Sequence, residues 1–294
     1  SSVFSDAGNA SLTLPSDWVN AGTTGGFTAL ESNLARAPIE SDRQTIGIGG
    51  RYNVSEQISL SADVRRRNNE GVRMFGGSSY TNASLLPAPF DHSTDELELG
   101  VRFGDSRAFV GLSWYLSDFD NQYDSLSWQQ PFLASPGAET PEMAQAPDNR
   151  FQQLRVNGGY SLTELRTVIT LNAAIGQIEQ DAAFLDYTVN PNLPVSPLPA
   201  ANLDGKVDTT NVTVSLNSRP FPKTRLRATY RFDERGNQTP VAAYDRVVVD
   251  SFLSGISELN VPYGYEEALE SVARFGLPEG GLARENARRF LDLG

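Results

Sequence analysis

Apolar and polar residues alternate with a period of two in eight stretches of the chain, and the stretches come in pairs. The first pair is predicted over 43–53 and 57–66. Ile46, Ile48, Gly50 and Tyr52 share one face of its first strand. In its second strand Ile58, Leu60, Ala62 and Val64 oppose Ser59, Ser61, Asp63 and Arg65. The second pair covers 95–103 and 107–117. It sets Leu97, Leu99, Val101 and Phe103 against Glu96, Glu98 and Arg102, then Val110, Leu112, Trp114 and Leu116 against Gly111, Ser113 and Ser117. The third pair is 150–160 and 165–176, the fourth 207–218 and 224–233. In the last strand Leu226, Ala228, Tyr230 and Phe232 face away from Arg225, Arg227, Thr229, Arg231 and Asp233.

The connections alternate as well. Short turns are predicted near 54–56, 104–106, 161–164 and 220–223, and long loops fill 68–93, 118–149 and 177–206. Such an order predicts an all-β fold, an antiparallel up-and-down transmembrane β-barrel with short periplasmic turns and long extracellular loops. A charge facing the middle of a bilayer costs about 2–4 kcal/mol. The faces that carry Arg102, Arg155, Arg166, Arg225, Arg227 and Arg231 are therefore assigned to the lumen. Tyr52, Phe103 and Tyr160 lie just before short turns, where an interfacial aromatic girdle belongs. A soluble β-sandwich also alternates, but its loops have no reason to be short on one side and long on the other. Eight strands close a small barrel filled by side chains, or else form one arc of a larger barrel, and the lumen charges fit either.

This places the barrel strands and loops in 43–250. Residues 1–42 are read as an irregular segment, with a turn at 22–25, and 251–294 as an irregular or helical tail. The chain has 294 residues and a negative mean hydropathy, with no apolar run long enough for a transmembrane helix. It lacks cysteine, which excludes disulfides, thiolate metal sites and C-x-x-C-H haem attachment. With one histidine, the chain cannot ligate a series of haems, so no cofactor of its own is expected. The net charge of −12 argues against nucleic acid as a partner. No basic segment followed by an apolar one opens the chain, as expected of a mature protein or a fragment.

Candidate chemistry is sparse. His92, between Asp91 and Ser93, is read as a solvated loop histidine, because no nucleophile or second base accompanies it. Asp118, Asp120, Asn121 and Asp124 are oxygen ligands in a row, but without the glycine and terminal glutamate of a calcium loop. The sequon at Asn211 falls inside a predicted strand. No catalytic, cofactor-binding or metal-binding residue is assigned, and the chain is not expected to be an enzyme. Charge is more informative. Residues 118–149 hold six acidic and no basic side chains, 177–205 four and none, while the predicted lumen face is rich in arginine. A cationic wall of this kind steers anions or docks an acidic or propionate-bearing partner. Equally, its charges can pair across neighbouring strands.

Several segments carry a family resemblance. Asn121, then Asp124-Ser125-Leu126-Ser127-Trp128 and Pro131-Phe132, matches a loop motif of the MtrB/PioB outer-membrane proteins, with Gln130 where that family often has asparagine. In order, it is followed by Asp148-Asn149-Arg150-Phe151, Gln180-Asp181-Ala182-Ala183-Phe184, Leu203-Asp204-Gly205-Lys206-Val207 and Ser218-Arg219-Pro220. The run Tyr230-Arg231-Phe232-Asp233-Glu234-Arg235 with Asn237, Thr239 and Pro240 completes the set, and Leu14-Pro15-Ser16-Asp17-Trp18 is a weaker early match. The resemblance covers about 10–260 of a chain whose family members are much longer. It implies an outer-membrane, porin-like sheath. A periplasmic multihaem c-type cytochrome would sit inside it, and an extracellular multihaem cytochrome could dock at its loops. The haems would belong to those partners. The alternative is a diffusion or substrate-specific porin with an open lumen. A barrel enzyme would need a convergent acid, base and nucleophile, and only His92 is available.

Overall fold

The computed structural model describes residues 1–79, 82–134, 136–193, 195–247 and 260–262. Its body is one antiparallel sheet of eight strands: β1 (Glu40–Asn53), β2 (Ile58–Ser79), β3 (Asn82–Gly104), β4 (Ala108–Asn121), β5 (Asn149–Leu162), β6 (Thr167–Gln180), β7 (Gly205–Ser218) and β8 (Leu226–Asn237). Spatial order follows chain order, so every strand pairs with its sequence neighbour, as in a meander. All eight predicted strands are present. Among the described residues the sheet is not closed, and β1 and β8 are its edges.

Register decides what each face carries, because residues directly opposite in an antiparallel ladder share a face. Ile48, Val64, Leu97 and Leu116 stand opposite one another in succession across β1 to β4. So do Tyr52, Leu60, Val101, Leu112, Val156, Ala173, Val212 and Phe232 across all eight strands. This apolar face is not covered. Ile48 is 79% exposed and Tyr52 70%. No second sheet packs on it among the described residues, which removes the sandwich alternative. A contiguous apolar face this large is tolerated in lipid and not in water.

The same face turns polar at the loop end of every strand. Along β2 it passes from Val64 to Arg66 and Asn68, along β3 from Leu97 to Asp95 and Ser93, and along β4 from Leu116 to Asp118. It passes from Leu154 to Gln152 and Arg150 on β5, and from Ile175 to Gln177 and Glu179 on β6. Opposite charges meet across this border. Arg66 lies 3.3 Å from Asp95, and Arg150 2.6 Å from Asp118. We take this border as the outer limit of the hydrocarbon layer.

Segment 68–93, expected to be a long loop, is instead the paired continuation of β2 and β3, in register up to Ser79 opposite Asn82. Beyond the border both faces meet water or protein, so the apolar–polar alternation that marks a membrane strand is lost. Pro87 and Pro89 also read as strand breakers. They are accommodated because the Pro87 carbonyl, and with it the missing N–H, faces away from β2, where β4 has already ended. There the carbonyl accepts a hydrogen bond from the Gly8 N–H at 3.0 Å. His92 accordingly lies on β3, between Asn69 and Asn121, and not in a loop.

Turns at the other end are short and self-satisfied. Ser55 Oγ accepts from the Gln57 and Ile58 N–H groups at 3.2 and 3.1 Å. Asp105 Oδ1 accepts from Arg107 and Ala108, both at 2.7 Å. These backbone hydrogen bonds hold the Asp105 carboxyl below the ordinary carboxylate pKa. A group with a depressed folded pKa contributes stability above its unfolded pKa, and the contribution is lost as pH falls through the folded value. The protection factor of the Ala108 amide, its exchange rate relative to the intrinsic rate at each pH, is therefore expected to fall on acidification through the carboxylate range. The Asp105→Asn protein is expected to lack that dependence.

The compact hydrophobic core lies outside the membrane band. It comprises Phe4, Leu12, Leu86, Ala88, Leu126 and Trp128, with Val3, Leu14, Phe75 and Met143 against it. Segment 1–39 is not free. Its short strand Ser11–Leu12 runs parallel to Ser125–Trp128, which pairs in turn with Glu142–Ala144. Asn20 Nδ2 donates to the carbonyls of Gln130 and Phe132, and Trp18 Nε1 to that of Pro131. Further on, Asp245–Val247 pairs with Asn260–Pro262. The rest of the expected tail, 251–259 and 263–294, falls outside the described residues.

Candidate functional site

The second face of the sheet is mostly polar from β1 to β8, with Val168, Ala174 and Ile178 as apolar positions on β6. Residues alternate with the lipid-facing ones, so this is the lumen side. Its carboxylates are Asp63, Glu96, Glu98 and Asp233, and its arginines outnumber them. At the centre Arg65 and Arg67 both reach Glu96, at 3.4 and 3.0 Å, and the Tyr115 hydroxyl donates to the same carboxylate at 3.0 Å. One strand further, Arg155 lies 3.7 Å from Glu98, donates from Nε to Gln153 Oε1, and stands 4.9 Å from the Tyr115 ring centroid. The network spans β2 to β5 and fixes Tyr115 and two carboxylates between three guanidinium groups.

Glu96 is the hinge of this arrangement, with a side chain only 16% exposed while Arg65 and Arg67 are about half exposed. A hydrogen bond to a charged group contributes about 1.5–3 kcal/mol. Glu96→Gln is expected to destabilise the protein by about 1–3 kcal/mol, measured as a lower temperature of the heat-induced mobility shift in electrophoresis. It also leaves two arginines without their counter-ion.

Of the six arginines assigned to the lumen from the sequence, four lie on strands of this face. Arg102 makes no ion pair among the described residues and stands 5.2 Å from the Phe109 ring. Arg155 belongs to the network above. Arg227 pairs in register with Asn217, and Arg231 bonds Asp233 at 2.7 Å. The other two directly precede their strands. Arg166 and Arg225 lie in turns, because β6 begins at Thr167 and β8 at Leu226. Arg166 adopts a left-handed φ of 46°, and its carbonyl accepts from the Arg219 N–H at 3.0 Å, tying two turns together. Turn geometry, with no periodic signature, decides both positions.

Above the border the lumen face becomes aromatic. His92 stands between Phe90 and Phe119, with ring centroids at 5.3 and 5.5 Å, and Arg73 lies over Phe90 at 5.4 Å. Here, outside the membrane, partial burial and then the Arg73 charge lower the His92 pKa below the ordinary imidazole value. Asp118 is taken up by Arg150 on the outer face, Asp120 is on β4 opposite Ser93, and Asp124 is in the following loop. Among the described residues no three acidic or histidine side chains are placed to share a metal ion.

The β2–β3 extension is covered on its polar side. Trp128 stands over Gly77 on the polar side of the β2–β3 extension, close enough that a Cβ there would lie 3.1 Å from its ring. Leu86, beside it, is fully buried. The small sheet and segment 1–39 thus form a cap on the lumen side of the extension. In chain segments 122–148 and 181–204, acidic residues occur and basic ones do not.

A family model described as outer membrane beta-barrel porin, MtrB/PioB, matches residues 1–273. The chain belongs to this family. Its place is therefore the bacterial outer membrane, and the uncovered apolar face is the lipid-facing surface of a porin-like barrel. The chain is also 26% identical, over 261 residues, to the outer membrane protein MtrB of Shewanella baltica (strain OS185). That match covers 88% of this chain and 36% of the relative, so the chain spans about a third of the relative's length.

Proposed function

We propose that this chain is part of an outer-membrane sheath that houses a periplasmic multihaem c-type cytochrome in its lumen. On this reading the eight strands are an arc of a wider barrel whose further strands close the edges at β1 and β8, as lipid requires. The observation that carries the proposal is the division of the sheet. One face is apolar from β1 to β8 with no second sheet on it among the described residues, and the other is a mostly polar wall with arginines and a fixed network at Glu96, Tyr115 and Arg155. Family membership supplies the kind of barrel. The chain carries out no chemistry itself. It excludes lipid, holds the partner in place, and leaves electron transfer to the partner's haems. An extracellular multihaem cytochrome would dock at the long loops.

The test is co-purification. The full-length protein, expressed with a candidate periplasmic multihaem cytochrome, is isolated from detergent-solubilised outer membranes. Haem absorbance in a fixed ratio to the barrel is the expected result. A folded barrel without haem, conducting ions in planar bilayers, would establish the open porin instead.

A further inference from the structure

The occupant's chemistry can be taken one step further. This inference rests on the sheath reading, since it describes what the lumen would hold. Three observations bear on it. The polar face carries more arginines than carboxylates, although the chain as a whole is strongly acidic. Its central carboxylates are over-matched, because Glu96 answers two guanidinium groups, and Arg102 has no counter-ion among the described residues. The segments at the loop end carry the opposite charge, with acidic and no basic residues in 122–148 and 181–204.

We infer that the lumen wall is a docking surface for a protein whose inserted surface is net anionic, held by Arg65, Arg67, Arg102 and Arg155 and repelled by the acidic cap. The wall attracts carboxylates where the guanidinium groups are half exposed yet held in place by Tyr115 and the Phe109 ring. The cap gives the lumen an axial polarity. An anionic surface is drawn in from the turn side and meets rising repulsion toward the loops. A cationic occupant would find the reverse arrangement, attracted to the cap and expelled from the wall.

Labelled oligoglutamate and oligolysine peptides serve as probes of the full-length protein in lipid nanodiscs at low ionic strength, read by fluorescence anisotropy. Oligoglutamate is expected to bind, more weakly as salt rises. Replacing Arg65, Arg67, Arg102 and Arg155 by Gln is expected to weaken it about tenfold, since several exposed charge pairs are lost together. Replacing the same four by Lys is expected to retain most of the affinity, and thus to separate lost charge from lost fold. Neutralising Asp124, Glu139, Glu142 and Asp148 is expected to tighten oligoglutamate severalfold and to weaken oligolysine. Oligoglutamate binding no better than oligolysine, or unchanged by the Arg→Gln set, overturns the inference. So does weaker oligoglutamate binding after the cap is neutralised. The two readings separate cleanly. Charge-selective binding without haem co-purification would sink the cytochrome sheath and keep the anionic docking surface. Haem co-purification without charge selectivity would do the opposite.

Discussion

Leu171→Arg is expected to cost about 2–4 kcal/mol and to cut sharply the amount of folded protein recovered from outer membranes. Leu171 lies midway along the apolar run of β6, between Thr167 and Ile175, opposite Gly158 and Val214. A guanidinium there would sit in hydrocarbon too far from either interface to reach water. Its neighbour Thr170 faces the lumen, between Gly159 and Ser215, with no charge directly opposite. Thr170→Arg is expected to cost less than about 1 kcal/mol, as a solvated surface substitution does. The measurement is the heat-modified mobility of each variant in outer-membrane fractions. One residue of displacement along the strand should change the outcome from loss to near-normal yield, because side chains alternate between faces. Equal tolerance at both positions would show that the apolar face does not meet lipid.

Trp128→Ala is expected to release the cap without unfolding the sheet. Trp128 is 1% exposed and packs with Leu12, Leu86 and Leu126. Truncating a buried aromatic side chain to alanine costs about 3–5 kcal/mol. That cost falls on a core which does not include the membrane strands' lipid-facing residues. Proteolysis of intact outer membranes should cut segment 122–148 in the variant and spare it in the parent, while the strands remain protected in both. Trp128→Phe is expected to be mild. The Trp128 indole N–H has no acceptor among the described residues, so phenylalanine keeps most of the packing and removes a buried donor.

The strands were legible because the membrane imposes a simple rule on them. Between turn and border each residue faces either lipid or lumen, and Leu97, Glu98, Leu99, Gly100 and Val101 can be read off one by one. Beyond the border that rule lapses. From Arg66 to Glu70 both faces are polar, and Pro87 and Pro89 resemble a loop, so the extension of β2 and β3 left no periodic trace. Segment 1–42 was legible only as irregular. Its short strand contributes Ser11 and Leu12, and their partners Ser127 and Trp128 are distant in sequence. Burial of Leu12 depends on that long-range contact and on nothing local. The lumen network was half legible. Alternation places Arg65, Glu96 and Arg102 on one face, but only register brings Arg65 and Arg67 together on Glu96. Arg166 and Arg225 fall one residue before their strands, where turn geometry and not alternation sets the side chain's direction.

Site-specific photo-crosslinking tests the sheath most directly. A photoreactive side chain is placed in turn at Thr170, Leu171, Asn172 and Ala173 of the full-length protein, in cells that make the periplasmic cytochrome. Haem-staining adducts are predicted from Thr170 and Asn172 and not from Leu171 and Ala173. Such a pattern, alternating residue by residue, would place a haem protein against the polar face of β6. The absence of haem-staining adducts at all four positions, in a protein that is folded in the outer membrane, would contradict it.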